Sequence, residues 1–174
     1  MNRYVGLLYS IVLAPGVRVK NAPLCSLLRA LGLGDPRALL STGNVIFDSD
    51  EADPRVIEGN VERAFAEQFG RAIDFIVRAE SQWQQLVAAN PFPHGDPSRV
   101  GVRVMRHPIT AQASALLSAR QSADDRVQIV NGDPWTHLAQ GVTTSRLASV
   151  MTPRRIGVGT MRNYNTVVRI AKAL

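Results

Sequence analysis

The chain has 174 residues, one cysteine and a formal charge of +6, and a chain this long buries roughly 70% of its unfolded surface without help from disulfides or metals. Its 45% hydrophobic and 20% charged content is that of an ordinary globular protein. With Cys25 as the only thiol, a disulfide framework within the chain is excluded, and a reducing, cytoplasmic setting is expected.

The charge is unevenly spread. Residues 1–98 carry nine basic and eleven acidic side chains, whereas residues 99–174 carry eleven basic and three acidic ones. Beyond Asp133 no carboxylate side chain follows, but Arg146, Arg154, Arg155, Arg162, Arg169 and Lys172 do. Such an imbalance marks a candidate surface for nucleic acid or another polyanion. It is also what a chain that prefers arginine throughout would show.

In chain order, the uncharged run Tyr4 to Gly16 is too short for a membrane span, which needs about 20 apolar residues. It also makes a poor secretory signal and predicts a first strand from Arg3 to Leu13, ended by Ala14-Pro15-Gly16. Asn21 and Pro23 open a helix whose stripe is Leu24, Leu27, Leu28 and Leu31, with Cys25 as a half-buried core thiol beside it. Arg37–Ser41 and Asn44–Asp48 predict two short strands around a tight turn at Thr42-Gly43. Asp53 and Pro54 cap a long helix with Ile57, Val61, Ala64, Phe65 and Phe69 inward and Gly70 at its end. Ala72 to Arg78 alternates as a strand.

These elements give the β-α-β-β-α-β order of a ferredoxin-like unit. A helix from Ser81 to Asn90 and the segment Pro91-Phe92-Pro93 connect it to a second half. There the spacing predicts a strand from Arg99 to Arg106 with Arg103 outward, then a helix over Ile109–Ala119. A hairpin follows across Asn131-Gly132, with a short helix near Thr144–Val150 and a last helix over Asn163–Ala173. The expectation is an α+β protein of two ferredoxin-like units packed together plus a C-terminal helix. The boundaries fall at 1–78, 79–98 and 99–174, and the second unit is the less complete copy.

Several segments together carry a family likeness. They are Arg3-Tyr4-Val5-Gly6-Leu7-Leu8, Ser41-Thr42-Gly43-Asn44-Val45-Ile46-Phe47, Asn90-Pro91-Phe92-Pro93, Ser145-Arg146-Leu147 and Arg162-Asn163-Tyr164-Asn165-Thr166-Val167. In this order and spacing the chain resembles the domain of unknown function 1697 family. The resemblance implies two ferredoxin-like units and brings no activity, cofactor or substrate. Members of that family usually follow the first strand with Arg-Gly-Ile-Asn-Val-Gly, whereas this chain has Tyr9-Ser10-Ile11-Val12-Leu13-Ala14.

The residues identify no reaction. His94, His107 and His137 lack zinc-ligand spacing, so no metal site and no cofactor are expected. No nucleophile motif occurs, and Asp124-Asp125 has the look of a solvated turn. Gly157-Val158-Gly159-Thr160, taken as leading into the last helix, is a weak candidate for a phosphate-sized anion beside Arg154, Arg155 and Arg162. On that helix Arg162, Asn165, Arg169 and Lys172 fall at spacings of three, four and three and would form one cationic stripe.

Three function classes therefore stand open. The first is a polyanion-binding module that uses Arg146, Arg154, Arg155, Arg162, Asn165, Arg169 and Lys172. The second is a small-molecule enzyme or binder with a pocket between the units near Tyr9, Ser10 and Asn44. The third is a structural protein that forms a homo-oligomer. No membrane partner is expected.

Overall fold

The computed structural model describes residues 1–9 and 12–174. The chain divides into two compact units, Met1–Gln85 with Ile170–Leu174, and Leu86–Arg169.

In the first unit the central strand is β1 (Asn2–Leu8), flanked on both sides by antiparallel neighbours. The sheet order is β4-β5-β1-β6, with β4 spanning Gly34–Leu39, β5 Asn44–Ser49 and β6 Phe75–Ala79. Tyr4, Leu8, Val45, Phe47, Phe75 and Val77 build the core with α1 (Asn21–Ala30) and α2 (Pro54–Phe69). The opposite face, carried by Val5, Leu7, Ile46 and Ile76, is equally buried. A run of five apolar or small residues without polar alternation in β1 has this cause: both of its faces are covered.

Helix α2 follows its sequence signals closely. The Asp53 side chain accepts from Arg55 N at 2.9 Å, Pro54 occupies the first turn, and Gly70 closes the helix at φ 68°. Its buried face holds a carboxylate as well as apolar groups. Glu58 Oε1 accepts from Val77 N at 2.9 Å and Glu62 Oε1 from Phe75 N at 2.8 Å. Two glutamates one turn apart thus satisfy alternate amides of the edge strand β6, which would otherwise be open to another chain.

Three details differ from expectation. The first strand ends at Leu8. Ser10 and Ile11 of the expected strand lie outside the described residues, and β2 (Val12–Ala14) pairs with β3 (Val17–Arg18) in a small ribbon that turns at Pro15-Gly16 and leaves Val12 and Val17 exposed. The β4–β5 connection takes four residues, because Leu39 and Asn44 are the last paired positions and Leu40 adopts φ 62°. Cys25 is buried.

From β6 the chain passes directly into α3 (Glu80–Ala88), which buries Trp83. The second unit contains β7 (Val100–Met105), α4 (Ala111–Ser118), β8 (Asp125–Val130) and β9 (Asp133–Leu138). The short helices α5 (Arg146–Ser149) and α6 (Pro153–Ile156) and the strand β10 (Gly159–Asn163) complete it, and α7 (Tyr164–Ala173) follows, with its last turn from Ile170 counted in the first unit. Its sheet runs β10-β7-β9-β8 with every pair antiparallel. Fourth, first, third, second is the order of the first sheet too, once the β2–β3 ribbon is set aside.

The second sheet therefore has four strands in the same order as the first, where the sequence spacing predicts three, and β10 is the strand that spacing does not announce. Gly159 makes room for it, because a Cβ there would meet the Met105 sulfur and the Val104 carbonyl. Arg103, expected to point outward, is 5% exposed. It lies on a central strand of which all six residues are buried.

Candidate functional site

The division into units sharpens the charge asymmetry. Met1–Gln85 and Ile170–Leu174 hold ten basic and ten acidic side chains, whereas Leu86–Arg169 holds ten arginines and four aspartates. The whole formal charge of +6 belongs to the second unit, and all of its formal cations are guanidinium groups. Seven of these arginines, at positions 99, 120, 126, 146, 154, 155 and 169, are exposed.

Arg146, Arg154 and Arg155 are exposed on α5 and α6, and Asn165, Arg169 and Lys172 are exposed on α7. Arg162 is not on that helix. It belongs to β10, where strand alternation turns it and Thr160 to the buried side. Its Nη1 donates to Thr160 Oγ1 at 2.7 Å and to the Met161 carbonyl at 2.8 Å. Burial pulls its pKa down to about 10, so it remains charged at neutral pH but is closed to a ligand. The expected stripe shrinks to Asn165, Arg169 and Lys172. Gly157-Val158-Gly159-Thr160 leads into a strand, so its amides do not form a helix start.

The possible pocket near the first strand also changes. Asn44 is 1% exposed, and its amide donates to the Leu39 carbonyl at 3.1 Å and to Thr42 Oγ1 at 2.8 Å. That side chain holds the hairpin. Tyr9 is exposed, and Ser10 lies outside the described residues.

The second unit has concavities at two places that bear on the candidate residues. One, of about 370 Å³, is lined by Arg120, Gln121, Asp125, Ser145 and Arg146 among others. Ser145 Oγ donates to Asp125 Oδ2 at 2.6 Å and accepts from Ala148 N at 3.0 Å. The Asp124-Asp125 turn is thereby tied to the start of α5, with two guanidinium groups at the rim.

The other concavity, of about 510 Å³, lies between the segment Pro91–Gly95 and the β8–β9 hairpin, and is lined by Phe92, His94, Asp124, Arg126 and His137. Arg126 and His137 are direct cross-strand neighbours, and the Phe92 and His137 rings stand 6.1 Å apart. Neither histidine stood out in sequence, because 43 positions separate them and only the strand register unites them. Phe92 falls in one of the family-like segments, which was the one available signal.

Among the described residues no group of three or more His, Cys, Asp or Glu is placed to hold a metal. No helix among them is long and apolar enough to cross a membrane.

No curated protein matches this chain. In fold it is similar to conserved bacterial protein SP0830 from Streptococcus pneumoniae, with a TM-score of 0.78 at 20% identity over 98% of this chain and 97% of that one. Residues 1–135 match the family described as protein of unknown function, DUF1697, and the chain belongs to that family.

Proposed function

We propose that this protein is a binding module for a phosphate-rich polyanion, nucleic acid above all, and that its second unit makes the contact. The observation that carries the reading is the confinement of the entire +6 charge to Leu86–Arg169, with seven exposed arginines. Guanidinium groups suit the task, since their planar fork bonds two phosphate oxygens at once.

The strand order supports reading each unit as ferredoxin-like. RNA binders built on such sheets stack bases on aromatic side chains of an open face. Here the face of Val5, Leu7, Ile46 and Ile76 is buried, and so are all six residues of β7. A stacking platform on the sheet is thus closed, which leaves backbone phosphates as the target. Recognition of this kind positions a strand without reading its sequence.

The test is fluorescence polarisation with a labelled single-stranded RNA and the triple variant Arg146→Glu, Arg154→Glu, Arg155→Glu. These residues are exposed on short helices, so folding should persist. We expect affinity to fall by about tenfold or more, since several charge contacts reverse. A loss of less than about twofold would remove these arginines from the interface.

A further inference from the structure

The cavity beneath Pro91–Gly95 has features that phosphate-backbone binding does not use. At about 510 Å³ it falls within the range of about 300–1,000 Å³ typical of small-molecule sites. Its walls are fixed from within. Asn90 Oδ1 accepts from Phe92 N at 2.9 Å, the Phe92 carbonyl from Gly95 N at 3.1 Å, and Asp96 Oδ1 from Ser98 N at 2.8 Å. Gly95 brings the segment close to the sheet. A Cβ there would stand 2.7 Å from Val100 Cγ2 and 3.0 Å from His137 Cδ2.

Onto this frame three kinds of group converge. Phe92 and the neighbouring prolines offer a flat apolar wall. Arg126 and His137, opposite each other on β8 and β9, offer N–H donors, with His94 at the same cavity. Asp124 supplies an acceptor.

The geometry points to a small planar ligand that carries one anionic group and one N–H donor. The ring lies against Phe92, the anion meets Arg126 and the imidazoles, and the donor meets Asp124. The class is a heteroaromatic or aromatic amine with a phosphate or a carboxylate. Two adjacent cationic or polar donors on one hairpin face favour an anion between them. The flat wall separates this site from a plain phosphate site.

Two probes distinguish the anion: adenosine 5′-monophosphate for phosphate and 4-aminobenzoate for carboxylate. Adenosine and aniline are the counterparts without it. Calorimetric titration of the full chain should show saturable binding of one of the two anionic probes. Its affinity should exceed that of its uncharged counterpart by about tenfold or more, the factor that one charge-assisted contact supplies.

Arg126→Ala and His94→Ala, both at exposed positions, should each weaken binding severalfold, and amide NMR shifts should centre on residues 91–95, 124–126 and 137. The triple variant at 146, 154 and 155 should bind the probe unchanged. This keeps failure here distinct from failure of the polyanion reading. Absence of saturable binding by both anionic probes, equal binding of inorganic phosphate alone, or full affinity in Arg126→Ala would overturn the proposal.

Discussion

Gly6 shows how narrowly single positions are set. It lies in the middle of β1, opposite Val45 and Val77, and a Cβ there would overlap the Phe75 ring. Gly6→Ala should therefore cost about 1–3 kcal/mol through overpacking, read as a lower thermal midpoint. An unchanged midpoint would mean that the ring has free room to move.

Arg3 and Asp48 face each other across β1 and β5, with Nε to Oδ1 at 2.9 Å and Nη2 to Oδ2 at 3.3 Å. The Arg3 guanidinium holds the Asp48 carboxyl below its usual range. A depressed carboxyl contributes stability that is present above its unfolded pKa and lost as pH falls through the folded one. Wild type should thus exceed Arg3→Leu in stability at neutral pH, and the gap should narrow as the medium is acidified below the ordinary carboxylate range. A gap that stays constant with pH would assign the effect to packing of the arginine stem.

At residue scale the sequence was least legible where burial overrode polarity. Arg103 and Arg162 are charged side chains on covered strands, and no spacing rule announces that. Asn44 looked like a pocket residue because its segment is family-like, whereas its amide serves the hairpin backbone.

Elements with strong end signals were plain in the sequence. Asp53-Pro54 and Gly70 bound α2, and Asn131 and Gly132, at φ 52° and 86°, turn the β8–β9 hairpin. Strand β10 was hidden for a physical reason. Gly-Thr-Met-Arg-Asn has no apolar alternation, and at its start the strand runs so close to β7 that a Cβ on Gly159 would meet Met105. Missing it displaced Arg162 onto a helix and made the second unit look incomplete.

The Glu58 and Glu62 contacts with β6 were likewise invisible, since a glutamate on a helix face normally means solvent. Glu58→Ala leaves the buried Val77 amide without this acceptor and should destabilise the protein by about 1–3 kcal/mol. The reading would be a lower urea midpoint. A neutral outcome would show that another group takes over the amide.

For the whole molecule, the distribution of charge between the units carries the proposed reading. The first unit is neutral overall and the second carries the full +6. On the proposed polyanion reading, that charge would draw in the ligand and speed its encounter. The buried face of Val5, Leu7, Ile46 and Ile76 and the buried strand β7 present no exposed aromatic platform for bases, so the proposed contact with a strand should be indifferent to sequence. The family likeness and the α+β architecture were both legible in the chain, since they rest on segments spread along its length. The groove under Phe92 was not, because it depends on strand register.

The most direct measurement is the affinity of the wild-type protein for two single-stranded RNAs of unrelated sequence across a series of salt concentrations. Equal affinities for the two and a steep fall with salt are expected. The log–log slope should be about −2 or steeper, as expected when three or more phosphates are neutralised. A flat salt response, or a clear preference for one sequence, would contradict the polyanion reading.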